Sequence, residues 1–211
     1  DSQTFNYRNH ARFTVRAQGF LGFSNRITRA FVRIDTCMLM SPWINETLAL
    51  IQGRCRETTQ LSMRYGVNTG EWLVQPTPQN PEIPLATGQA HYSERLLGQR
   101  FRIGSPSFFQ VNTRQAEHLV ELVRARLGLN PDTVLVDAYS GVGAFAVLLA
   151  PSVRKVIAIE ESSAAMKDAA VNCRGIENLQ AIEGKTEDVL DALEEASDAV
   201  ILDPPRVGCH P

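Results

Sequence analysis

The chain has 211 residues, 44% of them hydrophobic and 21% charged, enough for one large or two modest domains with cores of their own. Its net charge is −2, but residues 1–105 carry twelve arginines, no lysine and seven acids (+5), whereas 106–211 carry nine basic and sixteen acidic residues (−7), which suggests a basic module joined to an acidic one. No run of about 18 apolar residues and no signal-peptide pattern occurs, and Cys37, Cys55, Cys173 and Cys209 stand in no close spacing, so a reduced, soluble cytoplasmic protein is expected rather than a disulfide scaffold or a membrane protein. The first residue is not Met, and the ending at Cys209-His210-Pro211 suggests a piece of a longer protein.

In chain order, alternation over Ala11–Arg16, then Phe20–Phe23 and Ala30–Ile34, predicts half-buried antiparallel strands. A helix is expected from Ser41-Pro42, with Leu48 and Ile51 on one side, ending near Gly53. Leu61–Tyr65 and Glu71–Gln75 read as a hairpin around Asn68-Thr69-Gly70, and Pro76–Pro84, with four prolines, as a loop. Arg100–Ile103 is expected to be a last short strand before a domain boundary at 104/105. From Asn112 the period turns helical, with Ala116, Leu119, Val120, Val123 and Leu127 as an apolar stripe. Strands are then expected near 133–137, 155–160, 179–182 and 198–203, and helices near 143–150, 162–173 and 186–195.

This repeated βα pattern predicts an α/β fold: a Rossmann-like, doubly wound parallel sheet, preceded by a smaller β-rich α+β domain. Only four strands are found where such sheets carry about seven, so the sheet is expected to be incomplete. The most informative stretch is Thr133–Gly143, an apolar strand that ends on Asp137 and enters a turn through Tyr139, Gly141 and Gly143 to open a helix. Glycine permits close backbone approach there, and the helix N-terminus presents free N–H groups. A second apolar strand ends on Glu160, whose carboxylate can accept hydrogen bonds from a ribose diol. A third ends in Asp203-Pro204-Pro205-Arg206, where the prolines fix an acceptor in place. Together these read as an S-adenosylmethionine (SAM) dependent methyltransferase acting on a planar base. Arg8, Arg12 and Arg16 fall on one face of the first strand, a candidate phosphate-facing stripe.

The segments Ser105–Asn112 (Ser-Pro-Ser-Phe-Phe-Gln-Val-Asn), Asp137–Gly143, Glu160 and Asp203-Pro204-Pro205-Arg206-x-Gly208-Cys209 resemble, in order and spacing, the RNA uridine C5-methyltransferases that make 5-methyluridine in tRNA and rRNA. Tyr7-Arg8-Asn9-x-x-Arg12-Phe13, Leu21-Gly22-Phe23, Ile34-Asp35-x-Cys37 and Asn68-Thr69-Gly70-Glu71 resemble that family's central domain, so the likeness covers nearly the whole chain. It implies a class I methyltransferase domain over 105–211 and a β-rich, RNA-contacting domain over 1–104. It implies further that Gln110, Tyr139, Gly141, Gly143, Glu160 and Asp203 line the SAM site. Gln110 could meet either the uracil edge or the methionine end of SAM. Phe109 could stack on an extruded base, and Arg206 could contact a phosphate or position the base.

The family's chemistry adds a cysteine thiolate to C6 of uracil, so that C5 attacks the methyl group before a glutamate removes the C5 proton. In the family both groups lie downstream of Asp-Pro-Pro-Arg, so the nucleophile and base are expected beyond Pro211. The 211 residues alone are accordingly expected to bind SAM weakly and turn nothing over. Cys209, beside His210, matches a non-catalytic position of the motif. Cys37 matches one ligand of the iron–sulfur cluster that some members hold, but the three upstream cysteines are absent, so no metal site is complete in this chain. Two alternatives stay open: attack by an exocyclic amine at the Asp-Pro-Pro loop, and a non-catalytic RNA- or SAM-binding piece. No pattern specifies tRNA against rRNA or an oligomeric state.

Overall fold

The computed structural model describes residues 3–16, 18–206 and 208–209. They form two compact units: Asp1–Glu94 with Val111–Gln115, and Arg95–Gln110 with Ala116–Pro211.

The first unit is an antiparallel sheet in the order β3-β2-β1-β4-β5, built from β1 (His10–Val15), β2 (Leu21–Ser24), β3 (Phe31–Arg33), β4 (Gln60–Tyr65) and β5 (Trp72–Gln75). The strands form because apolar residues alternate: Ala11, Phe13 and Val15 are buried, and the register sets Phe13 opposite Leu61 and Ala11 opposite Met63. Helix α1 (Pro42–Ile51) begins at Ser41, whose hydroxyl accepts from the Ile44 N–H at 3.4 Å, and it sends Ile44, Leu48 and Ile51 into the same core. The helix and both arms of the expected hairpin thus stand where alternation and turn residues place them.

One strand escapes sequence reading. β6 (His91–Leu96), in which the chain passes to the second unit, has no apolar alternation at its start and contains a fully buried acid. Glu94 accepts from the Val67 and Asn68 backbone N–H groups at 2.8 and 2.9 Å and from the Thr113 hydroxyl at 2.8 Å, which in turn accepts from Asn9 at 2.9 Å. The carboxylate therefore ties the Asn68-Thr69-Gly70 turn by satisfying its donors, as a buried charge must.

In the second unit β7 (Gln99–Gly104) returns from β6, and helix α2 (Thr113–Arg126) leads into three strand–helix units and a last strand: β8 (Val134–Ala138), α3 (Ala144–Leu149), β9 (Lys155–Glu160), α4 (Ser163–Asn172), β10 (Leu179–Glu183), α5 (Thr186–Asp191) and β11 (Ala199–Leu202). All neighbouring pairs are parallel, in the order β10-β9-β8-β11. β8 is buried along its whole length, as an inner parallel strand is. Val134, Val136 and Ala138 pack with Ile157, Ile159 and the α5 residues Val189 and Leu190, while the intervening Asp137 meets α3 on the opposite face. Helices thus cover both faces, and the expected doubly wound α/β sheet is present. At its edge β11 leaves Val200 40% and Leu202 56% exposed. Asp168 of α4, buried, fastens the turn after β7: it accepts from the Gly104 N–H and the Ser107 hydroxyl, each at 2.6 Å, and pairs with Arg102 at 3.2 Å.

Candidate functional site

The strand order reverses at β8: β9 and β10 succeed it on one side and β11 returns to the other. That reversal opens a crevice beyond the carboxyl ends of the strands. Tyr139 follows β8, Glu160 ends β9 and Asp203 follows β11, and all three line one cavity of about 670 Å³. Gln110, Phe109, Gly141 and Arg206 line it too, so the structure brings together every residue expected at the site except Gly143, Arg8 and Arg12. Gly143 serves the helix instead of the cavity. At φ 83° it caps α3, and a β-carbon there would lie 3.3 Å from the Cys173 sulfur. Arg8 and Arg12 belong to the first unit.

The turn between β8 and α3 has left-handed backbone at Tyr139 (φ 61°), Gly141 (φ 57°) and Gly143. For Tyr139 that conformation costs roughly 1–2 kcal/mol. It is fixed by the Ser140 N–H, which donates to the Ile159 carbonyl at 2.9 Å, and by the Tyr139 hydroxyl, which donates to Glu187 of α5 at 2.5 Å. The bond to Glu187, then burial and the nearby Cys209, push the phenol well above its ordinary range.

Glu160 holds the turn from the other side. Its Oε2 accepts from the Gly141 N–H and its Oε1 from the Ser162 N–H, both at 2.8 Å. Two of the roughly four acceptor positions on the carboxylate are thus occupied by backbone, and the others can receive a diol. The backbone bonds set the carboxylate's position before any ligand arrives.

Asp137, in the strand that leads into the site turn, is a residue to which the sequence assigned no role. Only 1% exposed, it accepts from the Ala146 N–H at 2.9 Å and so supplies the side-chain cap that Gly143 cannot. Burial pushes its carboxyl up to about 7 against the opposing effect of that hydrogen bond, with Asp203 and Glu160 adding to the rise. The available signal was the acid itself: a charge inside an apolar strand must have a partner.

The two rings of the Phe108-Phe109 pair lie in opposite environments. Phe109 is 6% exposed and packs against Phe101 with ring centroids 6.2 Å apart, whereas Phe108 is 67% exposed at the cavity. Leu119, expected to be buried in the α2 stripe, is likewise exposed and lines the cavity, while Ala116 and Val120 are buried. With Glu160, Glu161 and Asp203 against one Arg206, the lining is acidic and favours a cationic ligand.

All four cysteines are free thiols. Cys55 is buried, Cys37 packs against the first unit's core, and Cys209 is exposed; His210 lies outside the described residues. Among the described residues no group of three or more His, Cys, Asp or Glu side chains is placed to hold a metal ion, and no helix is long and apolar enough to cross a membrane.

The family model described as tRNA (Uracil-5-)-methyltransferase matches residues 93–203. An uncharacterized RNA methyltransferase of Thermosynechococcus vestitus is 30% identical over 97% of this chain and 58% of its own length, and one of Lactobacillus johnsonii is 39% identical over 67% of this chain and 32% of its own. The chain therefore spans about three-fifths or less of these relatives. A crystal structure of Pyrococcus abyssi tRNA (uracil-54, C5)-methyltransferase, in complex with S-adenosyl-L-homocysteine, has the same fold: its TM-score is 0.78 at 24% identity, over 99% of this chain and 62% of that one. With the family model covering more than half of its residues, the chain belongs to the tRNA (uracil-5-)-methyltransferase family.

Proposed function

We propose that the cavity at the tips of β8, β9 and β11 binds SAM, and that the protein transfers a methyl group to C5 of a uridine in RNA. The observation that carries this is the convergence of Tyr139, Glu160 and Asp203 on one acidic cavity of about 670 Å³, within the size range of ligand pockets. The residues fit the cofactor. Glu160, pre-positioned by two backbone N–H groups, accepts the ribose hydroxyls. Gly141 lets the backbone close on the ligand, and the carboxylates of Glu160, Glu161 and Asp203 favour a sulfonium cation over neutral molecules. When bound, SAM supplies an electrophilic methyl group.

The chain's own residues prepare the base. Phe108, the exposed ring, offers a stacking platform for an extruded uracil, while Phe109 is buried against Phe101. Gln110 pairs with an edge of the base, and Asp203, fixed by two prolines, stands between cofactor and base. Thiolate addition at C6 would make C5 nucleophilic, and after methylation a carboxylate would remove the C5 proton as the C6–S bond breaks and the thiolate leaves; neither group is assigned to a residue of this chain. The relatives' names and the basic first unit support RNA as the substrate.

Two measurements test the reading. Titration calorimetry with SAM is expected to show one site on the 211-residue chain, weakened at least tenfold by Glu160→Ala. The full-length gene product is expected to methylate tRNA or rRNA lacking 5-methyluridine at a uridine C5. No cofactor binding, or methylation of an exocyclic amine instead, overturns it.

A further inference from the structure

The five-stranded sheet of the first unit has one apolar and one polar face. Ala11, Phe13, Val15, Leu61 and Met63 meet α1, and alternation therefore turns His10, Arg12, Thr14, Gln60 and Ser62 to the other side. Across β1 and β4 the register sets His10 opposite Arg64, Arg12 opposite Ser62 and Thr14 opposite Gln60. The groups are held in place by neutral partners. Arg12 donates to the Gln60 side-chain oxygen through Nε at 3.0 Å and again through a terminal nitrogen, Arg8 donates to the His10 carbonyl at 3.1 Å, and the His10 ring shares a hydrogen bond of 3.0 Å with Ser62. These contacts orient two guanidiniums without neutralising them. Burial, and then Arg64, Arg8 and Arg12, push the His10 ring down to about 4, so around a neutral imidazole the acting charges are all positive. The surface lies in the half of the chain that carries arginine, whose planar fork suits phosphate, and no lysine.

We propose that this polar sheet face, centred on Arg8, His10 and Arg12, is a docking site for the phosphodiester backbone of RNA. The inference rests on the reading of RNA as substrate and gives it a place on the first unit. The contacts are to phosphates, so they set register and affinity rather than sequence preference. Thr14 and Ser62 add hydroxyl donors on the same face.

The test titrates the 211-residue chain into a fluorescein-labelled, uridine-containing RNA hairpin at several salt concentrations, with SAM binding measured in the same preparations. Arg8→Gln and Arg12→Gln are each expected to weaken RNA binding about threefold to tenfold and to lower the slope of log affinity against log salt by roughly 0.7–0.9. Arg126→Gln, the same charge change on α2 of the second unit, is expected to leave both unchanged, and Arg12→Lys to restore most of the affinity. All variants are expected to bind SAM as the native chain does. Native affinity and slope in both Arg8→Gln and Arg12→Gln overturn the proposal, as does equal competition by polyglutamate, which would point to an acidic protein partner. Failure of SAM binding with an intact arginine effect would instead remove the cofactor assignment and leave this one standing.

Discussion

Phe108 and Phe109 are adjacent in the chain and opposite in environment, and that contrast divides binding from stability. Removing the buried ring leaves a void against Phe101, so Phe109→Ala is expected to cost about 3–5 kcal/mol in urea melts. Phe108→Ala is expected to change stability by less than about 0.5 kcal/mol, while sharply lowering methyl transfer in the full-length protein. Equal stability losses in the two variants would remove Phe108 as a surface platform. The sequence could locate this pair but not orient it: two consecutive phenylalanines fit either assignment, and only the packing partner Phe101, on a neighbouring strand, decides between them. Leu119 shows the same limit, since an apolar side chain on a helical stripe reads as core even where it lines a cavity.

At the scale of elements, the strand, turn and helix from Val134 to Leu149 were legible because each carries a local signal: apolar residues in β8, glycines with positive φ in the turn, a helix-forming run in α3. The capping of α3 was not, since the acceptor comes from inside the preceding strand. β6 was illegible for a related reason: between the buried Tyr92 and Leu96 the inward position is a carboxylate, Glu94, which breaks the apolar alternation. The Asp137 cap carries a pH signature. An unfolded aspartate titrates near 3.8 and this one at about 7, so across that interval the folded protein holds a proton that the unfolded chain has lost. Stability therefore falls as pH rises from about 4 to about 7. Asp137→Asn keeps an oxygen for the Ala146 N–H but carries no charge. It is expected to match the native chain near pH 4 and to exceed it by on the order of 1–3 kcal/mol at pH 8. Thermal melts across that range check this, and parallel curves for the two proteins would refute it.

At the scale of the whole molecule, Val111–Gln115 counts with the first unit although the segments on either side count with the second. Thr113 is the residue through which this matters, because its hydroxyl donates to buried Glu94 and accepts from buried Asn9. Thr113→Val leaves both without that partner and is expected to lower stability by about 1–3 kcal/mol, with Thr113→Ser recovering most of the loss. A valine variant within about 0.5 kcal/mol of native in urea melts would show that the contact is dispensable.

That interleaving also bears on ancestry. A module lying in one uninterrupted stretch of gene can be shuffled by a single recombination junction, but a junction between residues 94 and 111 would strand five residues of the first unit, Thr113 among them, in the other parent's coding sequence. Exchange of one half for a diverged counterpart would then bring a foreign Val111–Gln115 to a native Glu94, so the two halves are expected to have been inherited together and to have diversified as a pair.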